Sequence, residues 1–366
     1  MNRIKQNNNK VLCFIDSLGA GGAQRQIVGL ASMLHQRGLD VKVCYYHDIP
    51  FYRDYLDDSG VPHELISSAS SHIKRIPAVI KYFIHERPNW VIAYLEIPSL
   101  LATFTKILCG LFRIIVSERN TSQHTNYKER IRFNIFRWAD YVVPNAYSQE
   151  KYIKQTFSFL SNNIVTIPNF VDLDYFIPPT KRQRQKIPEI MIAASIWPSK
   201  NTLGFIDAVS VLKVKGYRFH ISWYGLNVKN KEYGDQCQEK IRRLELEDYI
   251  ELKEKTNRIN ECYQNADYFC LPSFYEGTPN VICEAMACGL PVVCSNVCDN
   301  SKYVIEGENG FLFDPLDTNS IVLSIEKIHS LNDSEYAAFC NKSREIVEQE
   351  LSKEKFIKSY LSLLGL

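Results

Sequence analysis

The 366-residue sequence lacks three features that would place it in a specialised class of protein: a long apolar run, a large net charge and grouped cysteines. Its most apolar stretch, ILCGLFRIIV at 107–116, is interrupted by Arg113, whereas a membrane-spanning helix needs about 20 apolar residues. The first residues, MNRIKQNNNK, are polar and basic and precede no apolar signal core. We therefore expect a cytoplasmic protein whose contact with a membrane is peripheral.

Charge is nearly balanced over the whole chain, at +2, which argues against nucleic acid as a partner. The two halves nevertheless differ. Residues 1–170 hold 20 Lys and Arg against 13 Asp and Glu, a net charge of +7, and residues 171–366 hold 23 against 28, a net charge of −5. This asymmetry predicts two bodies with different partners.

Eleven cysteines are present, and no two of them are spaced CxxC. Several, such as Cys13 and Cys270, lie inside apolar runs, so we expect them to be small core residues in a reducing compartment. Zinc would need more tightly grouped ligands. We therefore expect neither a metal nor a cofactor.

Strand-like apolar runs alternate with helical patterns along the chain, which predicts an α/β fold with parallel sheets. The runs lie at 10–15, 40–46, 90–95, 113–117, 140–144 and 163–168, and then at 189–195, 217–225, 248–253, 266–272 and 290–295. The pattern changes around 168–180, where PNFVDLDYFIPPTKRQRQKIPE, with four prolines and the basic run KRQRQK, separates the two series and predicts a short loop and an interdomain linker.

Two Rossmann-like, doubly wound domains follow from this pattern, at 1–170 and 177–349, with a central cleft between them. Ligands of such sheets bind outside the carboxyl ends of the strands. The last helical pattern, at 350–366, lies beyond the second sheet, and we expect it to pack back on the first domain.

The most informative segment is PSFYEGTPNVICEAMACGLPVV at 272–293. Thr278 is a favoured N-cap and Pro279 suits the first helical position, so a helix should begin there. The backbone N–H groups of Asn280 and Val281 would then form an anion site suited to phosphate. Gly277 would let a ligand approach the backbone closely.

Two carboxylates flank this anion site. Glu276 lies in the loop before the helix, and Glu284 should lie about two turns inside it. Carboxylates are poor ligands for phosphate but good acceptors for hydroxyl groups on either side of a diphosphate. Two surface glutamates beside an ordinary helix are the alternative, which the full string EGTPNxxxEAxxxGxPVV disfavours.

This string resembles the EGxPNxxxEAxAxGxPVV segment of the family-four retaining glycosyltransferases of the GT-B fold. The resemblance extends over nearly the whole chain. It includes LGAGGAQRQIVGLASMLHQRGLDVKV (18–43), VSERN (116–120), ADYVVPNAYS (139–148), TIPNFVDLDYF (166–176), SKN (199–201) and NGFLFDPLD (309–317).

The resemblance implies a nucleotide-sugar donor, held by the second domain. Glu276 would face hydroxyls of the transferred sugar, Glu284 would accept from the ribose, and Lys200 would neutralise the diphosphate. The remaining donor-side residues that it implies are Ser195, Asn201, Gly225 and Lys255. On the first domain, Gly21 and Gly22 would open a helix towards the phosphates and the acceptor, and Glu118 and Arg119 would line the acceptor side, unless these two form a local ion pair.

The chain departs from the family pattern at two positions. Ser195 stands where an arginine is usual, so one cation for the diphosphate is missing or comes from elsewhere. Gln24 replaces the glutamate of GGAE, which removes a carboxylate. A noncatalytic partner subunit with the same fold is therefore the alternative to an enzyme, although the joint presence of Glu276, Lys200 and Glu284 argues against it.

Two further patterns suggest other ligands. Asp172 and Asp174 spell DxD, a metal–nucleotide signature of another glycosyltransferase fold, but they lie in the predicted hinge. LGAGG resembles the start of a dinucleotide-binding GxGxxG, which Gln24 leaves incomplete.

The expected activity is metal-independent, retaining transfer of a hexose or N-acetylhexosamine from a UDP-sugar to a polyprenyl-diphosphate-linked glycan of a surface polysaccharide. The segment 126–138 carries Lys128, Arg130, Arg132 and Arg137 among apolar residues. It is either a buried amphipathic helix with a solvated basic edge or a face for an anionic membrane.

Overall fold

The computed structural model describes residues 10–66, 72–119, 125–226 and 231–366. The chain divides into two compact units, Met1–Asn169 with Phe356–Leu366, and Phe170–Lys355. Each unit is built around one parallel sheet with helices on both faces.

The first unit contains six strands: β1 Val11–Phe14, β2 Val41–Tyr45, β3 His63–Leu65, β4 Trp90–Tyr94, β5 Arg113–Glu118 and β6 Tyr141–Pro144. The strands are parallel and are ordered β3-β2-β1-β4-β5-β6. The helices are α1 Gly22–Gln36, α2 Arg53–Asp58, α3 His72–Glu86, α4 Glu96–Cys109, α5 Tyr127–Phe136 and α6 Tyr147–Thr156, followed by a 3-10 turn at Ser158–Leu160. The central strands are apolar over their whole length because helices cover both faces of the sheet.

The second unit repeats this plan with β7 Glu189–Ala193, β8 His220–Leu226, β9 Ile250–Glu254, β10 Tyr268–Leu271, β11 Val292–Ser295 and β12 Gly310–Phe313. Its helices are α7 Thr202–Val214, α8 Lys231–Arg243, α9 Ile259–Asn265, α10 Asn280–Ala287, α11 Asn300–Tyr303, α12 Thr318–His329 and α13 Asp333–Glu350, with a 3-10 turn at Pro198–Lys200. The order β12-β11-β10-β7-β8-β9 matches that of the first unit. In both sheets the winding reverses between the first and fourth strands, where doubly wound sheets bind their ligands.

The predicted α/β class with doubly wound parallel sheets is confirmed. The strand predicted at 163–168 is wrong, because this segment forms only an isolated bridge between Ile164 and Val142 of β6. The edge strands β3 and β12 were not predicted. β3 has three residues, none of them fully buried, so it carries almost no apolar signal.

The C-terminal helix α14, Lys353–Leu364, contributes its residues from Phe356 onwards to the first unit. The Tyr360 and Tyr94 hydroxyl groups share a hydrogen bond of 2.8 Å, and both rings are fully buried. Because Tyr94 ends β4, this contact fixes the helix against the central part of the first sheet.

The DxD pair is engaged by a lysine. Lys353 Nζ lies 2.6 Å from Asp172 Oδ1 and 2.9 Å from Asp174 Oδ2. Nearby, the Val171 amide donates to the Leu351 carbonyl at 2.9 Å. The two aspartates thus join the segments before and after the second sheet. No cluster of three metal-ligating side chains occurs among the described residues.

α5 buries one of its three basic residues. Arg132 is 4% exposed and contacts Glu118 at 3.3 Å, Glu96 at 3.3 Å and Glu129 at 3.5 Å. The prediction that Arg132 belongs to an outward basic face is therefore wrong. Phe133 on the same side is fully buried. Three carboxylates around one guanidinium offset its desolvation cost.

This arrangement predicts different outcomes for two arginines on one helix. Arg132→Met should destabilise the protein by about 3–5 kcal/mol, because Glu118 and Glu129 stay buried without their cation. Arg130→Met, at an exposed position of the same helix, should change stability by less than about 0.5 kcal/mol. Chemical denaturation measures both values, and equal stability of the two variants would contradict the buried role of Arg132.

Candidate active site

Two loops meet at the point where the second sheet reverses its winding. β10 pairs directly with β7, so the loops that follow these strands leave the same edge side by side. Lys200 Nζ, from the first loop, lies 2.6 Å from Glu276 Oε1, from the second. The Phe274 amide also donates to the Ser199 carbonyl at 3.0 Å. The structure thus brings together the two residues predicted to serve the diphosphate and the sugar.

A short turn positions Lys200. Residues Pro198–Lys200 form a 3-10 turn, and Asn201 follows in the left-handed conformation with φ of 55° before α7 begins. Asparagine tolerates this conformation better than most residues. Asn201 is 5% exposed, and its side-chain amide donates to the Pro315 carbonyl at 2.8 Å. Its role in the structure is to hold the turn that presents Lys200.

The Lys200–Glu276 pair is only partly shielded, since the side chains are 24% and 14% exposed. An incoming diphosphate can therefore reach the ammonium group. The carboxylate retains acceptor capacity, because only Oε1 contacts Lys200. Such a pair can neutralise anionic oxygens and accept hydrogen bonds from hydroxyl groups at one place.

The helix after Glu276 begins later than predicted. α10 starts at Asn280 with Pro279 as its N-cap residue, so Thr278 is not the N-cap and Pro279 is not the first helical residue. The Asn280 amide is not free, because it donates to the Thr278 carbonyl at 2.9 Å. Val281 is therefore the first residue of α10 whose backbone N–H could meet a ligand, because the N–H groups of a first turn have no acceptor within the helix.

Gly277 lies in the loop before this helix and is half-buried. Beyond the loop, the thiols within and after α10 are in their neutral form. Burial raises the pKa of Cys283 well above its usual value and that of Cys288 to about 12. Since a thiolate is the nucleophilic form of cysteine, these side chains are not nucleophiles at neutral pH.

Glu284 is buried at 6% exposure and is the fifth residue of α10, so it lies about one turn inside the helix, not two. Its Oε2 accepts a hydrogen bond of 3.2 Å from the hydroxyl group of Tyr263, a fully buried residue of α9. Tyr263 orients this carboxylate. Sequence analysis missed it, because nothing in CYQNADYF distinguishes Tyr263 from a core tyrosine.

Gly225 is required by a close approach of two backbones. A Cβ at this position would overlap the Ala194 carbonyl oxygen and lie 2.9 Å from Ser195 Cα. Gly225 in β8 therefore lets the segment after β7 pass against it, and Ser195 lies half-buried at that crossing. Lys255 follows β9 and is exposed.

In the first unit, α1 begins at Gly22 with Gly21 as its N-cap residue, in an extended conformation. The Gln24 side-chain amide folds back and donates to Asp16 Oδ1 at 3.0 Å. A Cβ at Gly21 would overlap Gln24 Oε1. The space at Gly21 is thus occupied by a side chain of the protein itself.

Glu118 and Arg119, predicted to line the acceptor side, have partners within the first unit. Glu118 is 4% exposed and contacts Arg132. The Arg119 guanidinium lies 3.9 Å from the centre of the Tyr94 ring and donates to Asn169 and, at 3.2 Å, to the Tyr360 hydroxyl. The two residues therefore interact with different groups, and their role towards an acceptor remains a prediction.

Two family models match the chain in succession. Residues 20–175 match "Glycosyltransferase Family 4", and residues 177–346 match "Glycosyl transferases group 1". An uncharacterised glycosyltransferase of Haemophilus influenzae is 24% identical over 97% of this chain and 99% of its own.

Two further relatives have named activities. An N-acetylgalactosamine-N,N'-diacetylbacillosaminyl-diphospho-undecaprenol 4-alpha-N-acetylgalactosaminyltransferase of Campylobacter jejuni is 22% identical over 92% of this chain and 94% of its own. A UDP-Gal:alpha-D-GlcNAc-diphosphoundecaprenol alpha-1,3-galactosyltransferase of Escherichia coli is 28% identical, but over 45% of each chain.

Solved glycosyltransferase structures share the fold. A Rickettsia africae glycosyltransferase superposes with a TM-score of 0.86 at 16% identity, covering 98% of both chains. HepE of Anabaena, solved in complex with UDP, superposes with a TM-score of 0.84 at 18% identity, covering 97% of this chain and 99% of that one. The matches to both halves, the EGTPNxxxEA motif and the two doubly wound sheets together show that the chain belongs to the family-four glycosyltransferases of the GT-B fold.

Proposed function

We propose that this protein is a retaining, metal-independent glycosyltransferase that moves a hexose or N-acetylhexosamine from a UDP-sugar to a polyprenyl-diphosphate-linked glycan. The reaction would belong to the assembly of a surface polysaccharide of the O-antigen type. The observation that carries the proposal is the contact of Lys200 with Glu276 at the reversal point of the second sheet. The noncatalytic alternative is not favoured, since the named relatives are glycosyltransferases.

The donor would bind across the carboxyl edge of the second sheet. Its diphosphate would meet the Lys200 ammonium and the first-turn amides of α10, where the helix dipole favours negative charge. The ribose hydroxyls would donate to Glu284, which Tyr263 holds in place. The hydroxyls of the transferred sugar would donate to Glu276 Oε2, the carboxylate oxygen that does not contact Lys200.

Charge moves onto the diphosphate as the bond to the sugar breaks, and Lys200 is placed to stabilise that charge. In the proposed same-face displacement, the acceptor oxygen forms the new bond on the side that the diphosphate leaves. The departing phosphate oxygen takes the acceptor proton. No protein nucleophile is needed, in agreement with the neutral thiols around α10.

Relatives support the choice of substrates. UDP occupies the Anabaena HepE structure, and two of the relatives are named for transfer to diphospho-undecaprenol-linked sugars. A polyprenyl acceptor lies at a membrane, so we place the protein in the cytoplasm, bound peripherally to the inner face. No helix in the described parts of the chain has the length and apolarity needed to cross a bilayer.

A candidate membrane face lies on the first unit. α5 exposes Lys128 and Arg130, and beyond its end Arg137 is exposed and Trp138 is 59% exposed. α4, which packs against α5, and the residues after it expose further large apolar side chains, namely Phe104, Ile107, Leu108 and Leu111. Apolar and basic side chains together suit an anionic lipid surface.

Glu284→Ala should weaken binding of UDP about ten- to a hundredfold, because hydrogen bonds to charged groups contribute about 1.5–3 kcal/mol. Isothermal titration calorimetry with UDP measures the affinity. Glu247→Ala removes an exposed carboxylate of the same unit and serves as the control. An affinity of Glu284→Ala within twofold of the wild type would rule out the ribose role.

Lys200→Ala and Glu276→Gln should lower turnover more than UDP affinity, since both groups act where charge shifts during transfer. Turnover is measured as release of UDP from a panel of UDP-sugars. EDTA should leave wild-type turnover nearly unchanged. A strict need for added Mg²⁺ or Mn²⁺ would contradict the metal-free reaction and give Asp172 and Asp174 a metal-binding role.

The protein should sediment with anionic vesicles at low salt and lose this binding at high salt. Each Lys or Arg near an anionic surface contributes about 1 kcal/mol, and salt screens this attraction. Replacing Lys128, Arg130 and Arg137 with serine should abolish the salt-sensitive part of vesicle binding. Transfer to a short soluble acceptor should stay intact.

A matched control removes the same charge from the second unit, by serine at three exposed positions of α8: Lys231, Arg242 and Arg243. This variant should sediment as the wild type does. Wild-type protein that ignores anionic vesicles at low salt would contradict peripheral binding.

A further inference from the structure

The carboxylate of Asp16 occupies the reversal point of the first sheet. Asp16 lies two residues beyond β1, whose neighbours are β2 and β4. Its backbone carbonyl accepts hydrogen bonds from the amides of Tyr46 at 3.1 Å and His47 at 2.8 Å. These bonds fix Asp16 at the edge of the sheet where doubly wound domains bind ligands.

Asp16 is held by neutral donors and has no cation for a partner. Oδ1 accepts from the Ser17 amide at 2.6 Å, the Ser17 hydroxyl at 3.3 Å and the Gln24 amide at 3.0 Å. Oδ2 accepts no hydrogen bond from the residues that the structure describes, and none of these places a Lys or Arg within ion-pair distance. Arg75, the buried cation of this region, lies over the Tyr46 ring at 4.4 Å.

The Asp16 carboxylate is half-buried, so a ligand can reach it. Its oriented Oδ1 and unoccupied Oδ2 fit a group that accepts hydrogen bonds from a ligand. The ligand must offer donors without negative charge at that place, as a sugar hydroxyl does.

Gln24 helps to hold the Asp16 carboxylate in this position, together with Ser17. A glutamate at position 24 would bring two carboxylates within hydrogen-bond distance, where they cannot both be ionised at low cost. The amide avoids this repulsion and donates instead. Where the family's GGAE pattern has a glutamate, this chain has Gln24, and the side-chain amide of Gln24 contacts the carboxylate of Asp16.

The segment after β2 contacts the loop that follows Asp16. A Cβ at Gly19 would lie 3.4 Å from Ile49 Cγ2, and the Tyr52 amide donates to the Leu18 carbonyl at 2.9 Å. Phe51, next to Tyr52, is 59% exposed. The loop that follows Asp16 thus contacts a segment that carries apolar and aromatic residues.

We propose that Asp16 binds a hydroxyl group of the acceptor sugar, and that Gln24 is its positioning residue. This inference rests on the proposed function, because it names the acceptor side of the same reaction. Asp16, two residues beyond β1, would supply the carboxylate that is absent at position 24.

The test compares the effect of each variant on the acceptor KM with its effect on UDP affinity and donor hydrolysis. The acceptor probe is GlcNAc-diphosphoundecaprenol in detergent micelles, used with the UDP-sugar that wild type turns over. Asp16→Asn should raise the KM for the acceptor at least tenfold, while UDP affinity and donor hydrolysis without acceptor stay within twofold of wild type. Asp16→Glu should recover part of the loss, and Gln24→Glu should raise the acceptor KM with UDP affinity unchanged.

Asp40→Asn is the matched control, since Asp40 is exposed at the opposite end of the same sheet, just before β2, and should behave as wild type. An unchanged acceptor KM in Asp16→Asn would overturn the proposal, and so would a parallel fall in UDP affinity and donor hydrolysis. Failure of the proposed function would look different, because wild-type protein would then bind no UDP.

Discussion

The ion pair between Lys200 and Glu276 joins two loops that are 76 residues apart in sequence and adjacent in the second sheet. Its geometry depends on the strand order, which places β7 beside β10. Each loop is also tied to the other through its backbone, at Phe274 and Ser199. A partly exposed pair of this kind contributes little to stability. Its contacts are therefore open to rearrangement when an anionic ligand arrives.

Residues around the Lys200–Glu276 pair hold the candidate donor-binding groups in place. Asn201 fixes the turn at Lys200 through the Pro315 carbonyl, and Tyr263 orients Glu284. Gly225 lets two backbones approach more closely than any side chain would allow. In the proposed function each supporting residue acts on a group that touches the donor, so we expect changes in these residues to reduce donor binding.

Much of the architecture could be predicted because buried parallel strands are continuous apolar runs, as in β1, β4 and β10. β3 was missed because three partly polar residues at a sheet edge have no such pattern. The motif around Glu276 and Glu284 predicted the candidate site, and the structure brings Glu276 into contact with Lys200. The exact helix start could not be predicted, because Thr278 and Pro279 have the composition of a cap and a first turn, while the structure caps the helix at Pro279. The contacts of Arg132 and Tyr263 depend on the packing of distant elements, which single-residue patterns do not encode.

The central claim is that UDP binds across the two loops and the start of α10. Hydrogen–deuterium exchange with and without saturating UDP tests it directly, because bound ligand suppresses local opening of the segments it contacts. The account predicts protection concentrated at residues 197–202 and 274–285, with the first unit's sheet unchanged. Protection confined to other segments, or none at a UDP concentration that saturates binding, would contradict the account.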